Sequence, residues 1–402
     1  LVAGRFYGDP SERLRVVGIT GTNGKTSCAH FLAQALGTAE PCAVIGTLGN
    51  GFVGKLEGTT HTTPDPVRLQ ALLARFADEG ASAVAMEVSS HALHQHRVAG
   101  IGFDVAVFTN LSRDHLDYHD SMESYGDAKA RLFAAPGLRA AVINAADGFG
   151  RRLLATLPAG VRSIAYGFGD TGPAGEDHWL TATDVTVMPA GLRLKLDGSW
   201  GTADVQTGVL GRFNAANLLA VLGVLLVTGV PLAAAVERLH SLRGVPGRME
   251  RLGAPGRATA VVDYAHTPDA LEQLLVAVRE HCRGRLHCVF GCGGDRDTGK
   301  RPLMGGIAER LADVVVLTDD NPRSEDGASI VAEILSGMER PDAAIVERDR
   351  ARAIAAAIGK AADDDWVVVA GKGHEAHQQV GDLTLPFSDR DHVLRSMAGG
   401  DA

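Results

Sequence analysis

The hydrophobic pattern of this chain changes period at regular intervals. Short apolar runs rich in β-branched residues alternate with longer stretches whose apolar positions recur every three to four residues, as expected for buried strands separated by helices. Arg15–Thr20 is the first such run; it ends in a glycine-rich turn, and a helix is expected from about Thr26. Ala83–Val88, Asp104–Thr109 and Ala140–Asn144 read as further strands, each followed by polar loop residues. The alternation predicts an α/β domain with a mostly parallel sheet covered by helices.

From Leu180 to Gln206 the period shortens to two, as in Leu192-Arg193-Leu194-Lys195-Leu196, with Gly and Asp at the turns. This predicts a small antiparallel addition. An apolar helix at Asn217–Val227 and another from Leu232 close the first unit, and Gly244-Val245-Pro246-Gly247 reads as a linker. A second series follows: Thr259–Asp263, Leu286–Phe290, Val314–Thr318, Ala343–Val346 and Trp366–Ala370 are strand candidates with helix-length spacers. That is a doubly wound, Rossmann-like pattern, whose functional residues gather at the carboxyl ends of the strands. Two domains are expected, 1–244 and 245–402, because 402 residues exceed the size at which one core usually stops growing.

Composition narrows the class. Hydrophobic residues make up 45% and charged residues 22%, ordinary for a globular protein. No apolar run approaches bilayer length and no secretory signal heads the sequence, so no membrane insertion is expected. The net charge of -9 argues against a general nucleic-acid binder. Cys28, Cys42, Cys282, Cys288 and Cys292 are few, odd in number and scattered, which fits reduced thiols in a cytoplasm. The chain opens Leu1-Val2-Ala3 without an initiator Met, so it reads as part of a longer one.

The strongest chemical signal is Gly18-Ile19-Thr20-Gly21-Thr22-Asn23-Gly24-Lys25-Thr26 between a strand and a helix. Backbone N–H groups of such a turn can cradle phosphate, Lys25 adds a point charge, and Thr26 can ligate Mg²⁺. The common G-x-x-x-x-G-K-[ST] spacing is not met, because Ile19 stands where its first glycine would be. The plain alternative is a glycine-rich turn with an incidental lysine.

This short T-G-T-N-G-K-T form resembles the ATP loop of the Mur ligases and the folylpolyglutamate synthases. Other runs extend the likeness in order along the chain: Met86-Glu87-Val88-Ser89-Ser90-His91, Gln95-His96-Arg97, Thr109-Asn110-Leu111-Ser112-Arg113-Asp114-His115-Leu116-Asp117-Tyr118-His119, Tyr125-Gly126-Asp127-Ala128-Lys129, Gly211-Arg212-Phe213-Asn214, Pro246-Gly247-Arg248-Met249-Glu250 and Asp263-Tyr264-Ala265-His266. They are similar to the Mur ligases that add the third stem-peptide residue to a UDP-linked muramoyl-dipeptide in peptidoglycan synthesis. The resemblance implies a P-loop ATPase domain followed by an amino-acid-binding domain, with ATP and Mg²⁺ as cofactors; a monomer is expected. Nothing here corresponds to the family's N-terminal uridine-binding domain, and the sequence is expected to begin at that junction.

Amide formation from a carboxylate needs activation, which ATP supplies by forming an acyl phosphate that an amine then attacks. Two anionic groups must be brought together, so cations and positioning should dominate. Glu87 ends a strand and His115 follows another, where a divalent ion could bridge them to a nucleotide. The resemblance implies that Gly21, Thr22, Asn23, Gly24, Lys25, Thr26 and Ser27 hold ATP, joined by Asn214, Arg248 and Asp263. It implies metal ligation by Thr26, Glu87 and His115, catalytic roles for Lys25, Lys129 and His115, and carboxylation of Lys129 by CO₂. Thr62, Thr63, Ser89, Gln95 and Arg97 would hold the muramoyl-dipeptide; the threonines also suit a helix start, with Pro66 near its first turn.

Asp320-Asn321-Pro322-Arg323 follows the strand Val314–Thr318, where doubly wound folds bind ligands. It matches the meso-diaminopimelate-adding members. Arg323 could grip that substrate's distal carboxylate with two parallel hydrogen bonds, with Arg296 near the proximal carboxylate and Gly371 and Glu375 near the distal ammonium. An exposed turn arginine is the plain alternative.

Other readings fare worse or stay open. Asp114, His115, Asp117 and His119 could instead form a transition-metal hydrolase site or a solvated loop. His91, His94 and His96 look like local hydrogen-bonding residues. His374-Glu375-Ala376-His377 lacks the i, i+4 spacing of a zinc protease, and Arg296 stands where a dinucleotide motif begun at Gly291 needs its third glycine. A lysine-adding or folate-type ligase and a nucleotide-binding module without turnover remain as alternatives. Because Lys25 and Arg323 fall in separate expected domains, closure on Gly244–Gly247 is expected to precede chemistry.

Overall fold

A computed structural model describes residues 2–37, 40–115, 118–169, 177–253 and 257–398. Its contacts divide into two units, Leu1–Thr186 with Leu192–Gly208 and Arg212–Arg243, and Val187–Gly191 with Val209–Gly211 and Gly244–Ala402.

Among the described residues the first unit is built on eleven strands. They are β1 Arg15–Thr20, β2 Cys42–Gly46, β3 Gly49–Phe52, β4 Lys55–Glu57, β5 Ala83–Glu87 and β6 Val105–Phe108, then β7 Ala140–Asn144, β8 Arg162–Phe168, β9 His178–Met188, β10 Gly191–Gly198 and β11 Ala203–Thr207. Their spatial order is β11-β10-β9-β8-β7-β6-β1-β5-β2-β3-β4. β1 lies between β5 and β6, parallel to both, with Arg15 opposite Ala83 and Val17 opposite Val105. Strands covered on both faces must be apolar throughout, which is why Val16, Val17, Val84 and Ala85 are wholly buried.

The helices of this unit are α1 Val2–Phe6, α2 Lys25–Gly37, α3 Pro66–Asp78, α4 Ser90–His94, α5 Met122–Ala130, α6 Gly148–Ala155, α7 Asn214–Val227 and α8 Leu232–His240. α2 packs on β2, β5 and α7, and α7 packs on β7 and β8. α3 starts at Pro66 because Asp65 accepts hydrogen bonds from the Val67 and Arg68 N–H groups, both 3.0 Å, with proline at the position that needs no donor. Its Leu69, Leu73 and Phe76 enter a core with Val16, Met86 and Phe108. Burying Phe76 there contributes about 2–3 kcal/mol.

In the second unit the strands are β12 Glu250–Leu252, β13 Thr259–Asp263, β14 Leu286–Phe290, β15 Val314–Leu317, β16 Ile345–Val346 and β17 Trp366–Ala370, ordered β12-β13-β17-β14-β15-β16. All pair in parallel except β12. α9 Pro268–Arg279, α10 Lys300–Leu311 and α11 Gly327–Leu335 send Leu275, Met304 and Ile334 into one core. α12 Arg350–Lys360 and α13 Asp389–Met397 send Ile354 and Val393 into another. A hairpin of β18 His377–Val380 and β19 Leu383–Pro386 follows β17. The wholly buried pair Arg350–Asp389, 2.7 Å apart, also donates 2.9 Å to the Ala370 carbonyl and so pins the end of β17.

Several elements depart from the sequence reading. β9 pairs in parallel with β8, so the antiparallel addition begins only at β10. The first half of β9 is buried at Leu180–Ala182 and continues the parallel sheet, while its second half is largely exposed. β16 starts at Ile345 because Pro341–Ala343 forms a 3₁₀ turn. β2, β3, β4, β8, β12 and the β18–β19 hairpin went unread; most are too short to show a period, and Gly49 and Gly51 interrupt one of them. Among the described residues no helix is long and apolar enough to cross a membrane.

Candidate functional site

The loop after β1 is held in shape by what surrounds it. Gly21 and Gly24 have φ of +147° and +86°, and an added Cβ would fall 1.9 Å from Thr109 Oγ1 and 2.4 Å from Asn217 Oδ1 respectively. Both glycines are therefore dictated by close approach and backbone angle. The loop after β6 braces this one: Thr109 Oγ1 donates to the Asn23 carbonyl at 2.6 Å, and Asn110 Oδ1 accepts the Asn23 N–H at 2.9 Å. That second loop is itself anchored, since Asp147 accepts the Leu111 N–H at 2.8 Å while capping α6.

Lys25 folds over the loop, its ammonium 2.8 Å from the Gly21 and Thr22 carbonyls. Lys129, on α5, brings its Nζ to within 2.9 Å of the same Gly21 carbonyl and 4.2 Å of the centre of the Tyr125 ring. Burial first, then repulsion from Lys25, lowers the Lys129 pKa from 10.5 to about 6. This side chain is thus a neutral amine at physiological pH, the form that can act as a nucleophile.

Thr26 Oγ1 donates to Glu87 Oε2 at 2.9 Å, and the Thr47 N–H and hydroxyl also reach Glu87 at 2.8 and 3.2 Å. Gly46 leaves room for this carboxylate, because a Cβ there would sit 2.1 Å from Glu87 Oε1. A buried hydroxyl beside a buried carboxylate suits Mg²⁺, which takes one or two protein oxygens and keeps water or phosphate on its other faces. No group of three or more His, Cys, Asp or Glu among the described residues could hold a metal by itself. His115 has φ +53°, its Nε2 lies 3.6 Å from Asp114, and its ring is 6.0 Å from that of Tyr125, the ring that Lys129 also touches. The hydrolase alternative loses His119, which is buried with Nε2 3.0 Å from Ser90 Oγ; Asp117 and Leu116 lie outside the described residues. His94 bonds Tyr118 at 2.9 Å, as a local hydrogen-bonding residue would.

Thr62, Thr63, Ser89, Gln95 and Arg97 come together as one network. Thr62 Oγ1 is 3.0 Å from Thr47 Oγ1, Thr63 Oγ1 donates to the Glu87 carbonyl at 2.9 Å, and Ser89 N–H donates to Thr63 Oγ1 at 3.1 Å. Arg97 donates to the Thr63 carbonyl and to Gln95 Oε1, both at 2.9 Å. Thr63 is wholly buried and Ser89 caps α4, so these two shape the wall while Gln95 and Arg97 stand toward solvent. Asn214 is buried and accepts 2.8 Å from Asn217 Nδ2, one step behind Gly24; Ser27 lies in the first turn of α2.

In the second unit the residues named from the sequence cluster at the carboxyl ends of β13, β14, β15 and β17. Asp263 accepts the Met249 and Ala265 N–H groups at 2.7 and 2.8 Å, and Arg248 lies 5.0 Å over the Tyr264 ring with its buried Nε unpartnered. Asp320 is buried with Oδ2 unpartnered, and desolvation raises its pKa above the usual carboxylate value. Its carboxylate fills the space where Gly371 lacks a side chain, 2.6 Å from where a Cβ would stand. Asn321 Nδ2 donates to Glu375 Oε2 at 3.0 Å, and the wholly buried Lys372 donates 2.9 Å to both Asn321 Oδ1 and Glu375 Oε2. Burial would raise the Glu375 pKa, but Lys372 outweighs it and holds the carboxylate below its usual value. Pro322 is buried, and Arg323 has φ +52° with Nη1 donating 2.7 Å to the Gly294 carbonyl. Gly291 and Gly294 are close-approach glycines: an added Cβ would fall 2.0 Å from the Thr318 carbonyl oxygen and 1.9 Å from that of Pro322. Arg296 is exposed and bonds the Asp295 carbonyl at 3.1 Å.

Asn110, Thr47 and Lys372 escaped the sequence reading. Asn110 stands within one of the sequence motifs but was given no role, and Lys372 adjoins Gly371; Thr47 lies 40 residues from the Glu87 it contacts.

Residues 19–225 match the Mur ligase middle domain, and residues 247–373 the Mur ligase glutamate ligase domain. A UDP-N-acetylmuramoyl-L-alanyl-D-glutamate--2,6-diaminopimelate ligase of Alkalilimnicola ehrlichii is 54% identical over 397 residues, spanning 98% of this chain and 79% of its own length. One of Pseudomonas aeruginosa with the same name is 53% identical over 398 residues, spanning 99% of this chain and 80% of its own length. A solved structure titled as a diaminopimelate ligase of that name has a TM-score of 0.75 at 38% identity, covering 99% of this chain and 83% of that one. With both domain matches in order and half the residues shared along nearly its whole length, the chain belongs to the Mur ligase family.

Proposed function

We propose that this chain is an ADP-forming amide ligase that joins meso-diaminopimelate to UDP-N-acetylmuramoyl-L-alanyl-D-glutamate through an acyl phosphate, in peptidoglycan precursor synthesis. The observation that carries it is the near-full-length identity to ligases of that name. Residues 1–244 carry the phosphoryl chemistry and residues 245–402 receive the amino acid, in a cytoplasmic monomer.

The chain's own groups divide the work. The Gly21–Thr26 loop and Lys25 receive the phosphates of ATP, offering N–H groups and positive charge where negative charge accumulates. Thr26 and Glu87 would hold Mg²⁺, and His115 would serve a second ion. Such a divalent ion would supply charge that neutralises the phosphates. Gln95 and Arg97 orient the muramoyl-dipeptide, and Arg323, Arg296, Asn321 and Glu375 orient the amino acid so that its free amine faces the activated carbonyl.

Lys129 carries a carbamate in the working enzyme. The neutral amine adds to CO₂ and releases a proton, turning an uncharged group into an anion beside the Lys25 ammonium, to which it is attracted. Because its pKa is about 6, the reactive amine prevails above that pH and the inert ammonium below it. Turnover measured in CO₂-depleted buffer at pH 8 should fall and recover on adding bicarbonate, whereas at pH 5 bicarbonate should restore nothing. Equal activity with and without bicarbonate at pH 8 would exclude the carbamate.

The overall assignment is tested by phosphate release with ATP, the UDP-linked dipeptide and each amino acid in turn. Diaminopimelate should exceed L-lysine in kcat/KM by about 10²-fold or more, because lysine leaves a guanidinium unpaired in the pocket. Equal rates with the two, or release only with lysine, would overturn it.

A further inference from the structure

The Asp320–Arg323 segment has an unusual backbone that it cannot maintain alone. Arg323 is not glycine, yet its φ of +52° places it in the left-handed region that side chains with a Cβ disfavour. Such a residue persists only where its surroundings over-determine it. The constraint comes from the β18–β19 hairpin. Gly381 N–H donates to the Arg323 carbonyl at 2.7 Å, and Arg323 N–H donates to the Gln379 carbonyl at 3.2 Å, so the hairpin grips the strained residue on both sides. Gln379 N–H also donates to Asn321 Oδ1 at 2.9 Å, which turns that side chain toward Lys372 and Glu375. Gln378 completes the grip: its Nε2 donates to the Asp320 carbonyl at 2.7 Å and to the Asp319 carbonyl at 3.4 Å.

Apart from these bonds, the hairpin is closed at its base by the Phe387 N–H donating to the Ala376 carbonyl at 3.1 Å. It is a two-stranded element outside the main sheet, and Val380, Leu383 and Leu385 are 42%, 64% and 46% exposed. Isolated hairpins are marginal in water, so these bonds to the loop order both partners at once.

We infer that the β18–β19 hairpin is the clamp that shapes the amino-acid pocket, and that Gln378 is a positioning residue for substrate selection acting through the Asp320 and Asp319 carbonyls. This rests on the proposed ligase function for its catalytic consequence, but not for its structural one. With Gln378 in place, Asn321 and Arg323 are held in one arrangement before the amino acid arrives; without it, the substrate must order the loop itself and binds more weakly.

Two variants of similar side-chain length test the idea. Gln378→Met removes the donor, and Gln378→Glu replaces it with an acceptor facing two carbonyl oxygens. In hydrogen exchange followed by mass spectrometry without substrates, peptides spanning residues 319–325 and 379–382 should exchange faster in both variants than in the wild type. In steady-state assays the KM for diaminopimelate should rise about tenfold, the scale of one or two lost hydrogen bonds, with kcat and the KM for ATP within about twofold. The glutamate variant should be the worse of the two. Unchanged exchange in both peptides overturns the clamp. Faster exchange with an unchanged KM for the amino acid overturns the role in selection. If the wild type instead turns over with lysine alone, the ligase assignment changes while the exchange result still decides the clamp.

Discussion

Replacing Lys25 with alanine is expected to reduce turnover by about 10³-fold, the cost of removing a preorganised cation from a phosphoryl-transfer site. The ammonium lies 2.8 Å from both the Gly21 and Thr22 carbonyls, so it is already placed over the loop before any phosphate arrives and little reorganisation remains to be made. The fold should tolerate the change, because Gly21 and Gly24 are shaped by Thr109 and Asn217 rather than by Lys25. The same substitution has a second consequence. Lys25 is one cause of the lowered Lys129 pKa, so the Lys129 amine in Lys25→Ala should titrate at higher pH, though burial still holds it below 10.5. Single-turnover phosphate release would report the first effect, and ¹⁵N detection of the Lys129 amine the second. A variant retaining a tenth of wild-type turnover would remove Lys25 from the chemistry.

Arg323→Ala should lower kcat/KM for diaminopimelate by about 10²- to 10³-fold while leaving the KM for ATP close to that of the wild type, in line with the 2–5 kcal/mol lost when one partner of a desolvated charge pair is truncated. Nη1 donates to the Gly294 carbonyl, so two-pronged pairing with a carboxylate would fall to the Nε–Nη2 edge. Arg323→Lys should recover little, since an ammonium cannot reproduce that two-pronged edge. Steady-state kinetics with varied diaminopimelate at saturating ATP would measure both variants. Activity of the lysine variant within a few-fold of the wild type would mean that charge alone, without directional pairing, serves the substrate.

The parts of this molecule that were readable in advance share one property: they are local. β1, β7, β13, β14 and β17 announced themselves as apolar runs bounded by turns, and the structure begins and ends them where the reading did. Strands buried on both faces must be continuously apolar, and a phosphate loop needs its glycines and lysine within a few residues of one another. β3, β4, β12 and the β18–β19 hairpin gave no such sign, being too short to carry a period. The parallel pairing of β9 with β8 was equally hidden, because an alternating pattern does not state which neighbour a strand will join.

The chain's order of residues therefore determined its class, its loop chemistry and the candidates for each role. The arrangement in space decided their condition. Lys129 becomes a neutral amine because folding buries it and brings Lys25 to the same carbonyl from 104 positions earlier in the chain. Thr63 is withdrawn into a wall, Lys372 is spent on Asn321 and Glu375, and Arg323 is held at a positive φ by a hairpin more than fifty residues downstream. Charge state, burial and backbone strain depend on groups that meet only when distant segments pack together, and no local pattern encodes that meeting.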